Sequence, residues 1–120
     1  MIILNNRKIG NIGENKAIKY LLEKDYLILK HNYYTMHGEI DIIAEKNDLL
    51  IFIEVKSRNS NKFGFPLESV DENKINKISK TALNYIYENN IKDLQVRFDV
   101  IEVYLDQNRI NHIENAFYLV

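Results

Sequence analysis

At 120 residues the chain has room for one compact domain with a single core and is too short to expect two. Cysteine is absent, which excludes disulfides and thiolate-bound zinc, and 16 Lys+Arg against 17 Asp+Glu leave a net charge of -1, so the bulk composition carries no electrostatic footprint for nucleic acid. The apolar start Met1 to Leu4 breaks at Asn5, far short of a signal-peptide core, and no run approaches the ~20 apolar residues of a membrane span, so the expectation is a cytoplasmic globular protein without membrane association.

From Gly10 to Lys24, the residues Glu14, Ala17, Ile18, Leu21 and Leu22 recur at helical spacing while Lys16, Lys19 and Glu23 fall opposite, which predicts an amphipathic helix. Three strands follow: Tyr26 to Tyr34, rich in β-branched and aromatic residues; Ile40 to Ala44; and the nearly continuous apolar run Leu49 to Val55. The polar break Lys46, Asn47, Asp48 suits a hairpin turn between the last two. Ser57 to Pro66 lacks periodicity and holds the only proline, which predicts a loop. Ser69 and Glu72 have capping-box spacing, and Ile75, Ile78, Ala82, Tyr85 and Ile86 continue an apolar stripe to about Asn89, a second helix. Val96 to Leu105 returns to strand, and Ile110 to Val120 is either an edge strand or a tail. The order helix, three strands, helix, strand predicts an α/β sandwich with a mixed sheet covered by helices.

The chemistry-bearing residues stand inside the apolar segments. A buried carboxylate or ammonium needs a partner or a metal, because desolvation alone opposes the charge. Alternation puts Glu39, Asp41 and Ile43 on one face of the second strand, with Ile40, Ile42 and Ala44 on the other. On the third strand Phe52, Glu54 and Lys56 share a face, with Glu54 and Lys56 about 6.5–7 Å apart along it. A hairpin about Lys46 to Asp48 brings Asp41 roughly opposite Val55, beside Glu54 and Lys56, although a slip of one residue would exchange the faces. Glu14 lies on the inward stripe of the first helix as a third carboxylate. Three carboxylates suit Mg²⁺, a hard ion that keeps waters and accepts phosphate oxygens, and an adjacent lysine can orient water or neutralise developing charge, which is what phosphodiester hydrolysis requires.

Each of these residues has a plainer alternative. Asp41, Glu54 and Lys56 would form a cross-strand ion pair on a wet sheet face, and Glu14 would be a first-turn acid favoured by the helix dipole. Ser57 and Arg58 either meet a phosphate or cap the strand end, and Lys74, Lys77 and Lys80 either contact a nucleic-acid backbone or form the wet side of the second helix. Arg97 and Asp99 alternate onto one face and pair with each other. His31, His37 and His112 have no ligand spacing and receive no role.

The pattern Asp-x(n)-Glu-x-Lys across adjacent strands resembles the PD-(D/E)xK nuclease superfamily. The surrounding words are more specific: Gly10-Asn11-Ile12-Gly13-Glu14-Asn15-Lys16-Ala17, Gly38-Glu39-Ile40-Asp41-Ile42-Ile43-Ala44, Phe52-Ile53-Glu54-Val55-Lys56-Ser57-Arg58, Phe63-Gly64-Phe65-Pro66 and Arg97-Phe98-Asp99-Val100. In order and spacing, over nearly the whole chain, these resemble the bacterial YraN family, which is itself similar to archaeal Holliday-junction resolvases. The resemblance implies a restriction-endonuclease-like fold, Mg²⁺ or Mn²⁺ as cofactor, structured or branched DNA as substrate, and a homodimer. By the same resemblance Glu14 matches the helix glutamate, Asp41 the metal-binding aspartate, Glu54 the second metal ligand and Lys56 the lysine, while Ile40 stands where the superfamily has proline. Near-neutral charge keeps a second expectation open, a nucleic-acid-binding or adaptor module that retains the scaffold without hydrolysis. A third is a partner-binding domain whose acids are ordinary surface charges.

Overall fold

The structure, a computed structural model, describes residues 6–59 and 71–118. Its elements run α1 (Asn6–Glu23), β1 (Leu27–Thr35), β2 (Gly38–Lys46), β3 (Leu49–Arg58), α2 (Glu72–Glu88), β4 (Gln95–Tyr104) and β5 (Arg109–Phe117). The strands form one sheet in the order β1-β2-β3-β4-β5, antiparallel except for the parallel β3–β4 pair. That parallel pair needs a crossover, which α2 supplies.

One helix covers each face, and the strands are apolar on both, as a doubly covered sheet requires. Beneath α1, Ala17 and Leu21 pack on Ile42, Ala44, Ile51, Ile53, Ile101 and Val103. Beneath α2, Ile78, Ala82 and Tyr85 pack on Ile40, Ile43, Leu50, Phe52, Phe98 and Val100. A row of stacked rings, Phe52 on Phe98 at 5.4 Å and Phe98 on Phe117 at 5.2 Å, ties β5 into this second core. The segment 110–120 is therefore a strand to Phe117 rather than a tail.

Three details differ from the sequence reading. β3 runs on to Arg58 because its pairing with β4 continues through Ser57↔Val103 and Arg58↔Tyr104, so the loop begins later than Ser57. The α2 N-cap is Asp71, whose side chain accepts from the Lys74 N–H at 2.8 Å, so Glu72 is a first-turn residue and not the third position of a capping box. Ser69 and the Phe63 to Pro66 segment lie outside the described residues. Third, strict alternation fails on β2: Ile43 and Ile40 both face α2, while Ile42 faces α1. The fault spans Asp41 and, on the neighbouring strand, Asn32, whose φ of 56° is left-handed backbone between the pairs His31↔Ile42 and Tyr33↔Ile40.

Candidate functional site

The β2–β3 hairpin turns on Asn47, which takes a left-handed φ of 55° that asparagine tolerates well. With Lys46 opposite Leu49, the register runs to Ile42↔Ile53, and its continuation sets Asp41 level with Glu54 rather than with Val55. The two-residue turn causes this one-residue correction. Backbone pairing stops there, and the Asp41 carboxylate takes over by accepting the Val55 N–H at 2.8 Å. Asp41 thus stands at the fault in β2, where its side chain bridges to β3.

Asp41 is 8% exposed. Its carboxyl is pushed up to about 8, mainly by burial and next by the neighbouring charge of Glu54, with the Val55 N–H opposing and Glu14 and Glu39 adding smaller upward contributions. Negative charge converges on this carboxyl from α1, from its own strand and from β3.

Glu54 and Lys56 share the α2 face of β3, and their side chains meet at 3.3 Å. A second ammonium arrives from the first turn of α2, with Lys74 Nζ 2.8 Å from the same Glu54 oxygen. The two lysines respond oppositely. Burial, together with the neighbouring Lys74, pulls Lys56 below the ordinary lysine range against the attraction of Glu54. Burial also pulls on Lys74, but its hydrogen bonds to Glu54 and Lys56 and the charges of Glu54 and Asp41 outweigh that, and the net shift is upward.

The remaining candidates are dispersed. Glu14 contributes charge to Asp41 but hydrogen-bonds His31 at 3.0 Å on the α1 side. Ser57 lies beneath α1 at Gly13, where an added Cβ would overlap the Ser57 hydroxyl and come 3.1 Å from its Cβ. Arg58 sits with Nε 3.4 Å from the fully buried Glu102, which also accepts from Tyr104 at 3.1 Å and Asn111 at 2.7 Å. Of the α2 lysines only Lys74 joins the site, and Lys77 and Lys80 are exposed farther along the helix. Among the described residues no group of three or more His, Asp or Glu side chains is arranged to hold a metal ion.

Sequence reasoning gave His112 no role, yet the α1 face holds a buried polar network around it. Asp99, fully buried, accepts from His112 at 2.7 Å, from two Arg97 nitrogens at 2.9 Å and from the Asn115 N–H at 3.0 Å. His112 meets the Tyr20 hydroxyl at 3.0 Å, and Arg97 donates to Tyr26 at 3.2 Å. The expected Arg97–Asp99 pair is the visible part of this network; polar and apolar residues do not alternate along β5, and no local signal joins His112 to it.

The comparison with known proteins falls on the same segments. The model of the uncharacterised protein family UPF0102 matches residues 13–103, from the helix that carries Glu14 through β4. The chain belongs to this family. A UPF0102 protein of Clostridioides difficile is 54% identical over 114 residues, which cover 95% of this chain and all of that protein. A UPF0102 protein of Clostridium beijerinckii is 49% identical over 118 residues (95% and 96% of the two chains), and one of Persephonella marina is 47% identical over 108 (90% and 91%). Such coverage bears out the family resemblance read from the motifs, and UPF0102 membership brings no activity with it.

Proposed function

We propose that this UPF0102 protein is a divalent-metal-dependent endonuclease that hydrolyses phosphodiester bonds in structured or branched DNA. The observation that carries the reading is the buried Asp41 carboxyl, raised to about 8 among the charges of Glu54, Glu14 and Glu39, with Glu54 and Lys56 3.3 Å apart beside it. Asp41 has no cationic partner among the described residues and lies beside Glu54, and such a pair of carboxyls suits Mg²⁺ or Mn²⁺, because Mg²⁺ commonly takes only one or two protein carboxylates and completes its shell with water and phosphate oxygens. Asp41 and Glu54 would hold the ion, and Glu14, engaged by His31, would act mainly through the charge it adds at Asp41. When bound, such an ion polarises the phosphodiester and lowers the pKa of water.

The chain's own residues supply the rest. Burial keeps Lys56 below the ordinary lysine range, which suits it to take or relay a proton from attacking water. The Val55 N–H locks the Asp41 rotamer, and the Asp71 cap fixes the backbone of the turn from which Lys74 reaches into the site. The resemblance read from the sequence motifs, to the PD-(D/E)xK pattern and through it to junction resolvases, supports the choice of DNA and of a dimer. One feature favours the non-catalytic alternative: two ammonium groups already neutralise Glu54.

Incubation with Mg²⁺ or Mn²⁺ and a panel of branched, flapped and linear DNAs decides between them. Cleavage abolished by Asp41→Asn, Glu54→Gln and Lys56→Met supports the nuclease. Salt-sensitive DNA binding without cleavage by the unaltered protein supports the module.

A further inference from the structure

Two ammonium groups on one carboxylate oxygen is an arrangement to explain. Lys74 Nζ lies 2.8 Å and Lys56 Nζ 3.3 Å from the same Glu54 oxygen, while the buried Asp41 beside them accepts only the Val55 N–H among the hydrogen bonds of the described residues. The positive charge is thus concentrated on the more exposed acid. A divalent ion shared by Asp41 and Glu54 would repel both ammoniums, and one must leave.

The geometry distinguishes them. Lys56 is fixed on β3, two residues from Glu54 on the same strand face, with a side chain 19% exposed. Lys74 reaches in from another element, the first turn of α2, and its side chain is 35% exposed, with a long flexible stem that can swing outward.

From this geometry we propose that Lys74 is an exchangeable counterion, pairing with Glu54 in the metal-free protein and leaving Glu54 for a phosphate of the nucleic acid when a divalent cation binds. The proposal rests on the metal-dependent reading above. In the metal-free state Lys74 keeps Glu54 neutralised and its rotamer fixed. In the loaded state the ammonium is released at the rim of the site, where a phosphodiester backbone adjoins the ion. Lys74 is therefore a positioning residue that couples metal loading to substrate capture. The Asp71 cap holds the backbone of that turn and not the side chain, so Lys74 can be replaced without losing the helix start.

The coupling has a signature of opposite signs. In Lys74→Met, titration of the full-length protein with Mn²⁺ alone should give binding about fivefold tighter, since no ammonium has to be displaced. Affinity for a branched DNA, measured in Ca²⁺ to hold back cleavage, should fall several-fold. Lys74→Arg, which restores a cation of similar reach, should return Mn²⁺ affinity towards that of the unaltered protein. A residue that merely supports the fold would weaken both affinities or neither. Unchanged or weaker Mn²⁺ binding in Lys74→Met, with Mn²⁺ still bound by the unaltered protein, overturns the exchange and leaves the metal site standing. A flat Mn²⁺ titration of the unaltered protein removes the metal site and the exchange together. Unchanged DNA affinity overturns the phosphate half of the proposal.

Discussion

Replacing Asp41 by asparagine measures what the fold gives up to keep a carboxylate at this position. The folded-state pKa of about 8 lies above the 3.8 of the unconstrained side chain, so the unfolded chain ionises first as pH rises. The sign follows from linkage: this group favours the native state fully below about pH 4, and that contribution is lost progressively as pH climbs through about 8. At neutral pH the gap from the unfolded value is about three pH units, which at 1.36 kcal/mol each comes to ~4 kcal/mol as an upper bound. Water entry and movement of Lys74 towards Asp41 relieve part of this, and we expect a gain of ~2 kcal/mol in Asp41→Asn, roughly 6–10 °C for a domain of this size. The asparagine oxygen still accepts the Val55 N–H, so the β2–β3 junction keeps its hydrogen bond. Thermal denaturation in EDTA at a series of pH values from about 5 to about 9 checks it, the advantage of the variant growing with pH. A variant that melts at or below the unaltered protein, with a parallel pH profile, would refute the reasoning.

Further outcomes test the surrounding framework. Gly13→Ala should destabilise by ~1–3 kcal/mol in urea unfolding, because its Cβ meets Ser57, and Ser57→Gly in the same chain should recover part of the loss. Asp99→Asn should cost about 3 kcal/mol by stranding Arg97 and His112. Burial works to raise the Asp99 carboxyl, but His112, Arg97 and the Asn115 N–H hold it below 3.8, so its stabilisation is present above that value and lost as pH falls through the lower folded one. The stability difference between the two proteins should therefore begin to shrink below about pH 4 and vanish only once the pH has fallen through the lower folded value. Asp71→Ala should cost ~1 kcal/mol through the lost cap and also loosen the aim of Lys74, read as weaker DNA binding.

Local pattern carried much of this site. Glu54 and Lys56 meet because residues two apart on a strand share a face, and the hairpin that brings Asp41 alongside is written in Asn47 and Asp48. The helix and strand order is equally legible, since the helical stripes keep their period and the strands are rich in β-branched and aromatic residues. What escaped depends on departures from period or on contacts across long separations. The left-handed Asn32 resets the alternation of β1 and β2, so Ile40 changes face and Asp41 stands at the fault, and no tally of apolar positions shows that. Lys74 looks like one of three lysines on a wet helix flank until the crossover of α2 lowers its first turn onto β3. His112 belongs with Tyr20, 92 positions away, and with Asp99, 13 away, links that the packing of α1 and the β4–β5 pairing create.

On the proposed reading, Asp41 and Glu54 together hold one divalent cation beside Lys56. Anomalous diffraction from crystals soaked in Mn²⁺ tests it most directly. A single strong peak between the carboxylates of Asp41 and Glu54 is expected, with the Lys74 side chain withdrawn, and no peak in Asp41→Asn. Manganese bound elsewhere, or a site that persists in the variant, would contradict it.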